Sequence, residues 1–327
     1  MDVVGVGALN LDLIYEVNFN KLFKGEKYLE KIIGRERGTT PEEFSSLLRK
    51  LGKNGRLLEK SGGGSAANTI YALAKMGFSC GFIGKVGKDE QGEILLKELK
   101  EVGVGTSRVK EEGRSGICLI LLDRKKGKSI FISPNINDTL RYNEVDIDYI
   151  NKAKFLHMTS FLGEVSFATQ KRIAEKAKAP LSFDPGEPHA TRGLKKLMPI
   201  LKRSFILFPT EKEVEILTGK DYKNGAKELL RYGAKIVACT RGEKGSYIVS
   251  QEGEWQIPAE REKVVDTTGA GDVYAAGFLA GLLEGASLPL CGKLATKAAA
   301  QSIKGYGRER YPNQSVISKL VVSPKFG

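Results

Sequence analysis

Asp266-Thr267-Thr268-Gly269-Ala270-Gly271-Asp272 joins an apolar run, Lys263-Val264-Val265, to a helix-like apolar run over residues 273–283. Glycines at the start of a helix let backbone N–H groups converge on an anion, and the helix dipole adds positive potential at the same end. A carboxylate there is the odd element, because a simple anion site would exclude it. The combination makes chemical sense if Asp272 takes a proton from a hydroxyl while the neighbouring amides hold a phosphoryl group. The stretch reads as a loop-to-helix junction for phosphotransfer.

Outward from that junction, short apolar runs alternate with longer helical patterns. Residues 3–9 read as a buried strand, and 80–83, 155–158, 181–184, 205–208 and 236–239 as further strands. Helical spacing marks 65–76, where Ile70, Leu73 and Ala74 share a face and Gly77 is a stop. It also marks 90–102, through Ile94, Leu95, Leu99 and Val102, and helices are expected near 166–177, 211–217 and 223–232. This alternation predicts an α/β fold: a three-layer α/β/α, doubly wound, mostly parallel sheet within one domain over 1–327. Ligands in such folds bind beyond the carboxyl ends of the strands.

Two stretches break the rhythm. Residues 11–61 contain the alternating Leu13-Ile14-Tyr15-Glu16-Val17 and a helix over 41–51, with Thr40 and Glu43 as a capping pair. Residues 116–134 read as a hairpin: 117–122, a turn around Lys126-Gly127-Lys128, then 129–132. Together they are expected to form a small β lid over the strand ends that excludes water.

Composition removes several function classes. The net charge of +13 does not come as a basic run; the densest patch is Asp123-Arg124-Lys125-Lys126-Gly127-Lys128. Nucleic-acid binding is therefore not expected, and the charge suits solubility or attraction of anionic nucleotides. Four dispersed cysteines (Cys80, Cys118, Cys239, Cys291) and two isolated histidines, His157 and His189, argue against a zinc site or a disulfide framework. A reducing cytoplasm fits. The N-terminus lacks the charged head and apolar core of a signal peptide, and no window reaches ~18 uninterrupted apolar residues, so no membrane partner is expected. There is no G-x-x-x-x-G-K-[ST], and Gly5-Val6-Gly7-Ala8-Leu9-Asn10 departs from the dinucleotide fingerprint at Asn10.

Ser61-Gly62-Gly63-Gly64-Ser65-Ala66-Ala67-Asn68 leads straight into the helix that stops at Gly77. Its glycines would let backbone approach a ligand, and Asn68 offers both donor and acceptor to a polyol. Three more segments matter here: 266–272, Gly84-Lys85-Val86-Gly87-Lys88-Asp89 followed by Gln91-Gly92, and Thr240-Arg241-Gly242-Glu243-Lys244-Gly245. In order and spacing these resemble the PfkB, or ribokinase-like, family of carbohydrate and nucleoside kinases, over roughly residues 1–310.

The resemblance implies a three-layer α/β/α domain with a β lid that often serves for homodimerisation. It implies Asp272 as catalytic base and Gly269, Ala270 and Gly271 as anion hole. Asn10, Asp12, Gly63, Gly64 and Asn68 would hold substrate hydroxyls, and Thr240, Gly242 and Gly245 the phosphates of ATP. Glu213 would act on Mg²⁺ through water, and Asp266 and Thr268 match positions that hold a monovalent cation such as K⁺ in some members.

The chain departs from the family pattern in three places. Thr210 stands for the asparagine of the family's N-x-x-E motif. Ser65 stands where several sugar and phosphosugar kinases carry lysine. The long stretch between Asp12 and Gly63 is similar to that of adenosine-kinase-like members. The leading reading is an ATP-dependent kinase of a sugar hydroxymethyl group. The alternatives are a nucleoside (adenosine-like) kinase and a non-catalytic sugar or nucleotide sensor.

Overall fold

The computed structural model describes residues 1–24, 33–125 and 127–317. Val3-Val4-Gly5-Val6 is buried on both faces, the environment of a central strand in a parallel sheet. This strand, β1 (Val3–Val6), is followed by β2 (Asn10–Val17), α1 (Phe19–Leu22), β3 (Glu36–Gly38), α2 (Pro41–Asn54), β4 (Gly55–Gly63) and α3 (Ser65–Lys75). Next come β5 (Cys80–Val86), α4 (Glu90–Glu101), β6 (Gly105–Glu111), β7 (Gly116–Asp123), β8 (Gly127–Ser133), α5 (Ile147–Asn151), β9 (Phe155–Thr159), α6 (Glu164–Lys176) and β10 (Leu181–Asp184). The chain continues through α7 (Gly186–Ala190), α8 (Leu194–Leu201), β11 (Ser204–Leu207), α9 (Glu211–Thr218), α10 (Tyr222–Arg231), β12 (Ile236–Thr240), β13 (Ser246–Ser250), β14 (Gly253–Ile257), α11 (Ala270–Leu283) and α12 (Leu288–Ser302).

Among the described residues, nine strands form the main sheet in the order β14-β13-β12-β11-β10-β9-β1-β5-β6. Only the β12–β13 and β13–β14 pairs are antiparallel. One apolar cluster joins α3, α4, α11 and α12 to one face of the sheet, and a second joins α5, α6, α8, α9 and α10 to the other. The three-layer, mostly parallel fold expected from the alternation is therefore present. β1 lies between β9 and β5, where the winding reverses, so the crevice beyond its carboxyl end is the favoured ligand position.

The second sheet has the order β3-β8-β7-β2-β4 and forms the lid. Within it, β2 pairs antiparallel with β4 and parallel with β7. The expected 117–132 hairpin is the β7–β8 pair, although Lys126 of its turn lies outside the described residues, as do 25–32 of the 11–61 stretch.

Two local expectations change, and one run proves irregular. The strand expected over 3–9 ends at Val6, because Gly7 lies against the backbone of α3 and the chain then crosses into the lid sheet as β2. A Cβ on Gly7 would sit 2.5 Å from that of Ala66. The Thr40–Glu43 pair is half a capping box: Thr40 Oγ1 accepts from the Glu43 N–H, but the Glu43 carboxylate pairs with Arg37. Finally, the apolar run Lys263-Val264-Val265 is irregular, with Val264 57% exposed, because no strand of either sheet pairs with it.

Candidate active site

The run after Asp272 is apolar all round, and in the fold Val273–Gly281 of α11 are all buried. Its N-cap, Gly269, takes φ +74°, a conformation that glycine adopts without penalty. A side chain at Gly269 would also strike the Tyr311 hydroxyl, at 2.5 Å, whereas Gly271 is exposed and its missing Cβ faces open space. The helix start is therefore uncovered at one point, where unpaired amides meet the cleft. The Ala270 amide is not among them, since it donates to the Thr267 carbonyl at 3.2 Å. Of the three residues expected to form an anion hole, Gly269 and Gly271 line the cleft and Ala270 does not.

Asp272 is buried, with Oδ2 accepting from Asn68 Nδ2 at 2.9 Å. The Thr69 hydroxyl donates to the Asp272 carbonyl at 3.1 Å, so consecutive residues of α3 hold the first turn of α11. Burial pushes the Asp272 carboxyl up to about 7; the Asn68 hydrogen bond opposes that rise, and the charges of Glu36 and Asp12 add to it. A carboxylate poised near neutrality and open to a cleft is suited to take a proton from a hydroxyl.

The cleft has a volume of about 440 Å³ and runs between the carboxyl ends of the main strands and the lid. Asn10, Asp12, Gly64, Asn68, Glu213, Thr240, Thr268, Gly269, Gly271 and Asp272 all line it. Asn10 is set by Asn137, whose amide bonds both the N–H and the carbonyl of Leu9, at 3.0 Å each, and donates to Asn10 Oδ1 at 2.9 Å. Burial lifts Asp12 up to about 7, with the nearby Arg308 charge opposing it. Gly63 acts indirectly: a Cβ there would lie 2.1 Å from the Asp12 carboxyl group, so only glycine leaves that group room.

At the other end of the cleft, Thr210 N-caps α9. Its hydroxyl accepts from the Glu213 N–H at 3.2 Å, and the Glu213 carboxylate accepts from the Thr210 N–H at 2.9 Å. The Thr210 departure thus forms a complete capping box that fixes Glu213. Burial raises both Glu213 and Asp184; Asp272 adds to the rise at Asp184, and Asp184 to that at Glu213.

Asp266 accepts from the Thr268 N–H (2.9 Å) and hydroxyl (2.7 Å) through Oδ1, while its buried Oδ2 has no partner among the described residues. Lys128 of β8 reaches across and donates to Thr268 Oγ1 at 3.2 Å. Thr240 joins α9 through a bridge to Thr210, but Gly242 and Gly245 do not line the cleft. Both have positive φ and shape the turn into β13.

The sequence reading did not single out Asp184, Lys128, Glu36, Asn137 or Arg308. Asp184 had a signal, a carboxylate at the carboxyl end of an apolar strand before Pro185-Gly186. The other four carried none. The Gly84–Asp89 segment proves to be a joint: Asp89 caps α4 through Gly92 and accepts the N–H and hydroxyl of Ser115, tying it to the lid. His157 and His189 are buried and held neutral, burial pushing each down to about 3, and all four cysteines are buried and unpaired. No helix among the described residues is long and apolar enough to cross a membrane.

Strand order and lid put the molecule among ribokinase-like proteins, for example the ribokinase of Thermotoga maritima. That structure shares the fold at a TM-score of 0.77 and 23% identity, covering 98% of this chain and 99% of that one. The chain belongs to the pfkB family of carbohydrate kinases, whose model matches residues 42–313, and is thus a phosphotransferase with an alcohol group as acceptor. It is 42% identical over 245 residues to an uncharacterized sugar kinase of Archaeoglobus fulgidus, covering 73% of this chain and 98% of the relative. It is 31% identical to an ATP-dependent ribose-1-phosphate kinase of Halopiger xanaduensis, covering 69% and 74%. Adenosine kinase of Sinorhizobium meliloti has a similar structure, with a TM-score of 0.85 at 25% identity, covering 98% and 99%.

Proposed function

We propose that the protein transfers the γ-phosphoryl group of ATP to a hydroxyl, in the leading case a hydroxymethyl, of an unphosphorylated sugar. The observation that carries this reading is Asp272: a buried carboxylate, oriented by Asn68, at an open glycine-led helix start facing the cleft. Asp272 accepts the acceptor's proton as the new O–P bond forms. The uncovered amides at Gly269 and Gly271 stabilise charge on the phosphoryl oxygens, and Asn10, Asp12 and Gly64 hold the other hydroxyls. Phosphoryl transfer asks for such positioning and electrostatics more than for covalent chemistry.

Glu213 and Asp184 fit a shared Mg²⁺, because burial raises the proton affinity of both, Asp184 adds to the rise at Glu213 and Asp272 to that at Asp184, and a hard cation would relieve that strain. When bound, Mg²⁺ would neutralise charge on the nucleotide phosphates. The unpartnered Asp266 Oδ2 fits a monovalent cation such as K⁺. The lining is acidic: Asp12, Glu36, Asp138 and Asp184 outnumber Lys128 and Lys212, and Lys212 is paired with Glu187. That balance supports a neutral acceptor over a sugar phosphate.

A nucleoside acceptor is the second reading, favoured by the likeness to adenosine kinase and by the α2 insertion between Asp12 and Gly63. A coupled ADP-release assay against ribose, ribose 1-phosphate, fructose, ketodeoxygluconate, adenosine and cytidine tests both. Turnover of an unphosphorylated sugar supports the first reading, and turnover of nucleosides alone replaces it with the second. Turnover of ribose 1-phosphate alone removes the neutral-acceptor assignment. No turnover with any of them, together with ligand-induced thermal stabilisation, would leave a sensor.

A further inference from the structure

Arg308 belongs to none of the motifs, yet its guanidinium is 6% exposed and sits behind the cleft floor. Its Nε donates to Asn68 Oδ1 at 3.1 Å, and Nη1 donates to Glu98 Oε2 at 3.0 Å. The guanidinium lies over the Tyr71 ring, 4.6 Å from its centroid. The Glu98 carboxylate also accepts the Gly62 N–H, at 3.0 Å to each oxygen. One buried cation thereby joins α4, the glycine segment and the side chain that holds Asp272.

The orientation of Asn68 follows from this. A carboxamide can turn either its oxygen or its nitrogen towards Asp272, and oxygen against a carboxylate is repulsive. Arginine has donors only, so the atom facing Arg308 must be Oδ1, which leaves Nδ2 for Asp272. Arg308 Nη2 is buried without a partner among the described residues. A buried, incompletely paired ion is a poor source of stability, because apolar side chains of the same volume generally do as well or better. Its geometry, by contrast, is specific.

We propose that Arg308 is a positioning residue for phosphoryl transfer. It locks the Asn68 amide in the orientation that holds Asp272, and through Glu98 and Gly62 it keeps the acceptor-side glycine segment in register with the base. The inference rests on Asp272 acting as base.

The test is steady-state kinetics of the full-length enzyme with its best acceptor, with thermal unfolding recorded for every variant. Arg308→Lys keeps the charge but cannot span Glu98 and Asn68 with a planar fork. We expect kcat to fall by about 10–100-fold, the scale of a misplaced reacting group, while both KM values stay within about threefold. In an Asn68→Leu background the same Arg308→Lys change should leave kcat unaltered, because the amide it acts through is gone. Wild-type kcat in Arg308→Lys, or an equal further loss in the Asn68→Leu background, overturns the proposal. Should Arg308→Lys not fold, the partly exposed Glu98→Gln serves instead. It should lower kcat about three- to tenfold with KM held, and unchanged kcat would again overturn the proposal. Asp272→Asn separates the two failures. If it turns over like wild type, the base assignment falls; if it is inactive while Arg308→Lys is normal, only the positioning role falls.

Discussion

On the proposed assignment, the phosphoryl and acceptor sides of the cleft are built in opposite ways. The phosphoryl side is one continuous stretch, 266–272, at the head of a helix buried on every side from Val273 to Gly281. The acceptor side would be assembled across the lid: Asn10 and Asp12 on β2, Gly63 at the end of β4, and Asn137 beyond β8. On that assignment, reaction type would be written locally, whereas acceptor choice would depend on long-range assembly. Damage to the first should appear in kcat, and damage to the second in the acceptor KM.

Asp272→Asn should give the largest effect. Loss of a general base costs roughly 10²–10⁴-fold in kcat, with the acceptor KM little changed. Coupled ADP release measures both, and wild-type turnover would dissolve the contrast between the two sides. Asp12→Ala should act on the other parameter. Losing a buried hydrogen bond to a substrate hydroxyl costs roughly 1–3 kcal/mol, or about 5–150-fold in acceptor KM, with a smaller change in kcat. An Asp12 variant that loses kcat alone would move Asp12 to the chemical side.

The same contrast decides what could be read from residues alone. α4 was legible because Leu95 and Leu99 recur at helical spacing, and the phosphoryl side because its chemistry lies within a single run. The lid hairpin was legible from its turn. Asn137 and Arg308 were not: they act on partners 127 and 240 residues away, and nothing in their neighbours' pattern marks the contact. The pairing of the Ala270 amide was not legible for a different reason. Whether an amide at a helix start is free depends on the turn before it, and here that turn uses it.

Protonation should expose the phosphoryl side next. With Asp272 lifted to about 7, the base is active only when deprotonated, so the rate should fall about tenfold for each pH unit below that value. A kcat/KM profile flat down to about pH 5 would contradict the assignment. Stability runs the other way. Between about 4 and about 7, folded Asp12 and Asp272 hold protons that the unfolded chain has released, so stability falls as pH rises through that window. The ligand-free protein should therefore melt higher near pH 5.5 than near pH 8, and Asp12→Asn should flatten the difference.

The smallest expected effect concerns Thr210, which lines the α9 end of the cleft. Thr210→Ala removes the side-chain half of the box that starts α9, and a lost N-cap costs about 1 kcal/mol. For a chain of this length that is roughly 1–2 °C in Tm. Because the Glu213 carboxylate is held by the Thr210 N–H, which the substitution keeps, the KM for ATP should rise only slightly. Thr210→Asn restores a good capping side chain and should recover the lost stability. If it recovers Tm while the KM for ATP falls below the wild-type value, the asparagine touches the nucleotide or its cation. If both simply return to wild type, Thr210 is a cap and Glu213 alone faces the phosphates.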